Sequence, residues 1–401
     1  MWKVQPTEFL KRTLNPIRIL WETNQPKGNP EIPNIYLQLG DPTIYGNFLP
    51  HSNCAKAISY AVLHDKFSYL ESSGLKEARE AVAEYCKHMG NVTADDVFLT
   101  TGCSMAIETA CRALANPGEN ILTPEISWNY TTWMNGVGIE ARGYSLLPEK
   151  EWEIDLDHLE SLIDDKTRAI VVNSPGNPCG NVHSKKHILE IIALAERNKL
   201  VIISDEIYEF FTMPNVEYHS FAELSENVPV LVCSGLTKRF LIPGARCDWL
   251  VVNDRGNKLE NLRTGFRNAA GRNFFPNSSL QYALPSILRD TPQSFFDENN
   301  QKIYKNAQIV FNKLKSVKGL KSSIPKGSFY MLIGIDLNKF PKIETSLQFM
   351  QMLADEQSVF VLPSECFNYQ GFIRIVLTAT EEMLAEASDR IKKFCECYYE
   401  Y

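Results

Sequence analysis

The stretch Val232–Arg246, VCSGLTKRFLIPGAR, follows an apolar run that begins at Val228. This run has the composition of a buried parallel strand, which places Lys238 in the turn after it. Desolvating an ammonium is costly unless it is paired, and desolvation lowers a lysine pKa and turns the amine into a nucleophile and a base. Taken alone, Lys238 fits an ordinary exposed turn better than a reactive site.

Short β-runs alternate with helical segments on both sides of this stretch. The predicted strands are Asp96–Thr101, Asn120–Pro124, Arg168–Asn173, Leu200–Ser204, Val228–Val232 and Asp248–Val252, and the helices between them include Ser104–Leu114 and His183–Asn198. Such alternation predicts an α/β fold with a mostly parallel sheet flanked by helices. Ligands bind beyond the carboxyl ends of the strands in sheets of this kind.

We expect three regions along the chain. Residues 1–50 are rich in Pro, Asn and Gly and are predicted to form an arm that joins a smaller domain. Residues 51–290 would form the large domain with the candidate site, and residues 291–401 a small α+β domain. The elements predicted in this last region are helices Ser294–Val317, Ser346–Glu356 and Glu381–Cys395 and β-runs Ser328–Ile335 and Phe372–Leu377.

Composition excludes several classes of protein. The formal net charge of -7 over 401 residues argues against a nucleic-acid binder, and no apolar run approaches the ~20 residues of a membrane helix. Ten scattered cysteines without a Cys-x-x-Cys pair predict free thiols in a reducing compartment, the cytoplasm, and no metal site. His183 and His187 have the spacing of metal ligands, but we expect them on a solvated helix face.

Four further stretches carry candidate chemistry. Leu99–Ala106 predicts a glycine turn into a helix whose first N–H groups suit a phosphate, although a serine N-cap is the simpler alternative. Asn173–Gly180 is a rigid Pro/Gly loop that either reverses the chain or aims the Asn177 amide at a ligand. Asp205 directly follows an apolar strand, and it is either the N-cap of the next helix or a carboxylate that needs a cationic partner. Arg374 interrupts an apolar strand. Its guanidinium either forms a structural ion pair or binds a substrate carboxylate through two hydrogen bonds.

Taken in order, these stretches resemble the fold-type I pyridoxal-phosphate-dependent aminotransferases of class I/II, and among them the tyrosine aminotransferases. The resemblance rests on KRFLIPG at Lys238–Gly244, SDEIY at Ser204–Tyr208, NSPGNPCG at Asn173–Gly180 and TTGCSMA at Thr100–Ala106, with further matches at Asn15–Arg18, Gly40–Thr43, Leu146–Leu156 and Phe367–Leu377. It runs over almost the whole chain. Residues 51–290 would then be the cofactor-binding domain.

The resemblance implies a role for each motif residue. Lys238 would hold pyridoxal 5'-phosphate as a Schiff base and later carry the substrate proton. Asp205 would keep the pyridine nitrogen protonated, and Tyr208 and Asn177 would hydrogen-bond the phenolic oxygen. Trp128 would stack on the ring.

The phosphate would be held by Gly102, Cys103 and Ser104 at the helix start and by Arg246, and Ser234 would add a hydroxyl to it where the family commonly has glycine. Three neighbours of Arg246 depart from the pattern: Ala245, Cys247 and Asp248 stand where the family usually has Trp, Leu and Gly. An acidic residue near a phosphate is unfavourable unless it points away.

Arg374, helped by Asn177 and by the backbone of Gly40, would hold the substrate carboxylate. Tyr69 matches the tyrosine that reaches the phosphate of the neighbouring subunit, which implies a homodimer with shared active sites.

The implied activity is ping-pong transamination between an aromatic, tyrosine-like amino acid and a 2-oxo acid such as 2-oxoglutarate. The alternatives are an alanine or broad-range aminotransferase, a β-eliminating C–S lyase, and a pyridoxal-phosphate-binding protein with weak catalysis. We expect side-chain selectivity to lie in the loops Asn15–Arg18, Tyr36–Asn47 and Arg272–Ser279.

Overall fold

The computed structural model describes residues 2–24, 26–272 and 275–400; positions 273 and 274 of the third selectivity loop lie outside them. The helices are α1 (Glu8–Arg12), α2 (Pro16–Thr23), α3 (Ser52–Leu63), α4 (Lys76–Tyr85), α5 (Cys103–Leu114), α6 (Tyr130–Gly136), α7 (Leu156–Ser161), α8 (Lys185–Arg197), α9 (Phe221–Leu224), α10 (Glu260–Ala270), α11 (Ser278–Asp290), α12 (Gln293–Leu314), α13 (Ser346–Gln357) and α14 (Glu381–Tyr398). The strands are β1 (Ile35–Tyr36), β2 (Val97–Thr100), β3 (Asn120–Pro124), β4 (Glu140–Tyr144), β5 (Leu146–Leu147), β6 (Glu153–Ile154), β7 (Thr167–Asn173), β8 (Val201–Asp205), β9 (Val230–Gly235), β10 (Asp248–Asn253), β11 (Leu320–Ser322), β12 (Tyr330–Ile335), β13 (Val359–Phe360), β14 (Leu362–Pro363) and β15 (Phe372–Val376).

A seven-stranded sheet in the order β2-β10-β9-β8-β7-β3-β4 forms the centre of the molecule. Neighbouring strands from β9 to β4 run parallel, whereas β10 runs antiparallel to both β9 and β2. The predicted α/β fold with a mostly parallel sheet is confirmed. Because β7, β8 and β9 are parallel neighbours, the loops that follow them emerge at one edge of the sheet.

Both faces of this sheet are buried. In β7, Ala169 and Val171 contribute to one hydrophobic cluster, and Ile170 and Val172 contribute to the other. The first cluster includes the apolar side of α5, and the second includes those of α3, α4, α8 and α11. Side chains of a strand alternate between faces, so adjacent residues of one motif serve opposite sides of the sheet.

The two histidines of the sequence analysis are not solvated, which corrects that prediction. His183 and His187 are buried, and His187 Nε2 accepts a hydrogen bond of 2.9 Å from the backbone N–H of Ile154. His183 precedes α8, which is capped by Ser184, and burial lowers the pKa of His183 to about 3. The short β5–β6 hairpin covers this end of α8, and local polarity gave no sign of that contact.

A four-stranded antiparallel sheet, β11-β12-β15-β14, lies in the C-terminal part of the chain. The N-terminal arm joins this part, because β1 pairs in parallel with β13 and Val376 donates its N–H to the Leu37 carbonyl at 2.9 Å. Helix α1 packs instead on α6 beside the large sheet. The domain boundaries at residues 50 and 290 stay predictions.

No helix in the described ranges has the length and apolarity that crossing a membrane requires.

Candidate active site

A cavity of about 340 Å³ opens at the carboxyl ends of β7, β8 and β9, facing β15 of the smaller sheet. Most of the site residues predicted from the sequence lie in its wall: Gly40, Cys103, Ser104, Trp128, Asn177, Asp205, Tyr208, Lys238, Arg246 and Arg374. Trp128 packs beside Trp133, with ring centroids 4.8 Å apart. The structure therefore brings residues from five distant motifs to one place.

Lys238 lies three residues after the end of β9 and is half-buried. Its Nζ donates a hydrogen bond of 2.7 Å to the carbonyl of Gly40 and lies 5.7 Å from the centroid of the Phe329 ring. The amine thus points into the cavity and is held there by the N-terminal arm. An ordinary exposed turn lysine would not have these contacts.

Asp205 is the last residue of β8 and is 5% exposed. Tyr130 donates its hydroxyl to Asp205 Oδ2 at 2.7 Å, and the Ile207 N–H donates to Oδ1 at 3.3 Å. In the described chain the next helix begins only at Phe221, so Asp205 is not an N-cap. Burial raises the pKa of Asp205 to about 6, because these donors offset only part of the desolvation.

Arg374 lies in β15 and is 3% exposed. Its guanidinium donates to Asn177 Oδ1 at 3.0 Å and to the Gln38 carbonyl at 2.7 Å. Among the residues the structure describes, no carboxylate forms an ion pair with it, and its buried Nε has no hydrogen-bond partner. The alternative of a structural ion pair is therefore not realised. The site suits an incoming carboxylate.

Tyr330, which the sequence analysis did not select, links two of these groups. Its hydroxyl is 2.8 Å from that of Tyr208, and the Arg374 guanidinium carbon lies 4.3 Å from the centroid of its ring. Leu332 of β12 is opposite Arg374 of β15, which puts Tyr330 on the same face of the small sheet. This register has no signal in the sequence, so motif reasoning could not find Tyr330.

The corner predicted to hold phosphate differs from the expectation in part. Gly102, with φ of 93°, leads into α5, and a side chain there would collide with Arg246, since an added Cβ would lie 1.6 Å from Nη2. The Gly102 N–H donates to the Thr100 carbonyl at 2.9 Å and the Cys103 N–H to Asp248 Oδ2 at 2.7 Å. These two backbone donors are taken, which leaves Ser104 and Arg246.

Ser234 does not line the cavity, which corrects its predicted role. Its neighbour Cys233 faces the α5 side of the sheet, so Ser234 faces the opposite side. There its hydroxyl donates to Glu209 Oε1 at 2.7 Å.

Tyr69 also lies away from the cavity of its own chain, and it is 97% exposed. Its prediction as a residue that serves a neighbouring subunit is compatible with this position and stays a prediction.

The family model for aminotransferase class I and II matches residues 35–391. The chain belongs to the class I and II aminotransferase family. Enzymes of this family depend on pyridoxal phosphate, and this aminotransferase is therefore a pyridoxal-phosphate-dependent enzyme.

Similar proteins extend over the full length of this aminotransferase. Tyrosine aminotransferase of Mus musculus is 42% identical over 403 residues, covering 99% of this chain and 88% of the mouse protein. The crystal structure of tyrosine aminotransferase from Leishmania infantum superimposes with a TM-score of 0.96 at 30% identity and 100% coverage of both chains. Alanine aminotransferase from Pyrococcus furiosus gives a TM-score of 0.89 at 28% identity, covering 98% of this chain and 100% of the other.

The residues in the cavity of this aminotransferase fit the cofactor. An amine, Lys238, and a buried carboxylate, Asp205, line the same space, as an aldehyde and a protonated ring nitrogen require. Arg246 lies against the start of α5, where the helix dipole favours a phosphate.

Replacing Asp205 by Asn is expected to change how the stability of the cofactor-free protein depends on pH. Because the folded-state pKa of about 6 lies above the unfolded value of 3.8, the folded wild type binds more protons between these values and loses stability as pH rises through them. Asparagine does not titrate, so the stability of the variant relative to wild type should rise by about 2 kcal/mol between pH 4 and pH 7, at up to about 1.4 kcal/mol per pH unit between the two pKa values.

Urea unfolding at several pH values measures this difference. The exposed Asp157→Asn is the matched control for the change from carboxylate to amide. A pH-independent difference for Asp205→Asn would contradict the raised pKa.

Proposed function

We propose that this aminotransferase transfers the amino group of an aromatic, tyrosine-like amino acid to a 2-oxo acid such as 2-oxoglutarate. The observation that carries the proposal is the meeting of Lys238, Asp205 and the unpaired Arg374 in one cavity. The names of the mouse and Leishmania relatives support an aromatic donor. The apolar side chains Ile17 and Leu39 in the cavity wall support it as well.

Pyridoxal phosphate, when bound, supplies an aldehyde for the amino group and a ring that delocalises the electron pair left on the substrate α-carbon. Asp205 would hold the proton on the ring nitrogen, since its buried carboxylate lacks a cation in the described chain. Tyr208 would donate its hydroxyl to the phenolic oxygen. Ser104 and Arg246 would bind the phosphate, and Trp128 would pack on the ring.

Arg374 binds the substrate carboxylate through its free Nε and the fork of its guanidinium, with Asn177 and the Gly40 backbone beside it. Lys238, whose amine points into the same cavity, would remove the α-proton and hold it. The same residues serve the amino donor and the oxo-acid acceptor in turn, which is the ping-pong scheme.

A panel of amino acids with 2-oxoglutarate, pyruvate and oxaloacetate tests the substrate assignment. We expect kcat/KM for tyrosine and phenylalanine to exceed that for alanine and aspartate. A large aromatic side chain buries apolar surface against Ile17 and Leu39, whereas a methyl group buries little and a carboxylate loses its hydration there. A preference for alanine would establish the broad-range alternative. Pyruvate released from cysteine-type substrates without a second oxo acid would establish the C–S lyase.

Replacing Lys238 by Ala should lower the transamination rate by about a thousandfold or more, because a positioned acid–base group contributes 10²–10⁴ to the rate. The variant should still bind the cofactor through Asp205, Arg246 and Ser104. The exposed Lys186→Ala, on α8 at the opposite face of the sheet, is the control and should behave as wild type. Turnover of Lys238→Ala close to that of wild type would refute the assignment.

We infer a homodimer in which Tyr69 completes the active site of the partner subunit. The end of α3 and the segment after it expose large apolar side chains, among them Leu63 at 79% and Phe67 at 58%, next to Tyr69. Apolar surface concentrated in one segment is typical of an interface between copies.

Mixing two variants tests the shared site. A Lys238→Ala subunit paired with a Tyr69→Ala subunit forms one intact site per heterodimer, because the intact Lys238 and the intact Tyr69 then meet. Random exchange of subunits should give about a quarter of wild-type activity, because half of such dimers are mixed and each has one intact site. Activity no higher than the average of the unmixed variants would show that Tyr69 does not act across the interface.

The proposed compartment is the cytoplasm, and the support for it is that all ten cysteines are free thiols, nine of them buried.

A further inference from the structure

Asp248 is the first residue of β10 and its side chain is fully buried beside the phosphate corner. Its carboxylate accepts hydrogen bonds from the Cys103 N–H at 2.7 Å, the Thr237 N–H at 3.0 Å and the Thr237 hydroxyl at 2.5 Å. One carboxylate thus ties the start of α5 to the residue that precedes Lys238.

The surrounding chain is built to admit this carboxylate. A Cβ added to Gly235 would lie 1.8 Å from Asp248 Oδ1, so the absence of a side chain at Gly235 provides the space. Burial raises the pKa of Asp248, while its hydrogen bonds to Thr237 and the charge of Arg246 oppose that effect. Hydrogen-bond donors and the charge of Arg246 therefore surround the Asp248 carboxylate, as they would surround a bound anion, and the side chain does not point away from the phosphate corner.

A phosphate bound in this corner would share its environment with Asp248. Cys103 and Thr237 both line the cavity, and each gives its strongest donor to the carboxylate. The field of the α5 N-terminus and of Arg246 acts on both anions, and two negative charges at close range repel each other.

We propose that Asp248 is a positioning residue that acts as an internal anion of the phosphate corner and reduces what the phosphate contributes to cofactor binding. The inference rests on the proposed function, which it deepens. The chain would then rely for cofactor retention mainly on Lys238 and Asp205. A glycine at this position, as in the pattern that the sequence resembles, would leave the donors to the phosphate.

The test compares the dissociation constants of pyridoxal phosphate and of pyridoxal, which lacks the phosphate, on full-length protein freed of cofactor. The dissociation constant of pyridoxal divided by that of pyridoxal phosphate isolates the phosphate contribution, and this ratio is larger when the phosphate contributes more. In Asp248→Asn and Asp248→Gly we expect this ratio to rise at least about tenfold over wild type, which corresponds to about 1.4 kcal/mol. The constant for pyridoxal itself should change little.

Two variants are used because both remove part of the tie between α5 and the lysine turn, and thermal unfolding identifies which of them is folded. Glu108→Gln is the control: it removes a charge from α5 at a position away from the phosphate corner, and it should leave the ratio unchanged. An unchanged or lower ratio in a folded Asp248 variant overturns the inference. A folded chain that binds neither ligand in any variant overturns the proposed function and this inference with it.

Discussion

The desolvated carboxylate of Asp205 is the constraint on which the active site depends. It lies at the end of a buried strand and accepts hydrogen bonds from Tyr130 and Ile207, yet burial still raises its pKa to about 6. A carboxylate in this state disfavours the cofactor-free fold at neutral pH and favours any cation placed against it. The protein thus keeps a locally unfavourable charge that a protonated pyridine nitrogen would relieve.

The parallel sheet places this carboxylate next to the amine without any direct contact between them. Asn173 of β7 is level with Asp205 of β8, which is level with Cys233 of β9, so the loops after all three strands open into one cavity. The Asn173 amide also donates to the Asp205 carbonyl at 2.9 Å and fixes the two strand ends together. Arg374 comes from the other sheet, which the arm holds through the contact of Leu37 with Val376.

Sequence alone predicted the parts of the site that follow directly from a strand end. Asp205 and Lys238 could be found because each is a charged residue just beyond an apolar run, and the alternation of strands and helices gave the sheet. Tyr330 could not be found, because its place depends on the register between β12 and β15. The partner of Asp248 was equally hidden, since Cys103 is 145 residues away in the chain.

Ser234 shows why a motif must be interpreted together with the faces of its strand. A buried hydroxyl needs a partner, and on the far face of the sheet that partner is Glu209, which also accepts a hydrogen bond of 3.0 Å from Tyr85. Arg239, the residue after Lys238, donates to the same Tyr85 hydroxyl at 2.8 Å. Ser234 therefore stabilises the lysine turn from the face of the sheet opposite the cavity and does not bind a phosphate. On that face the turn is held by Ser234 and Arg239, and on the α5 face it is held by Asp248.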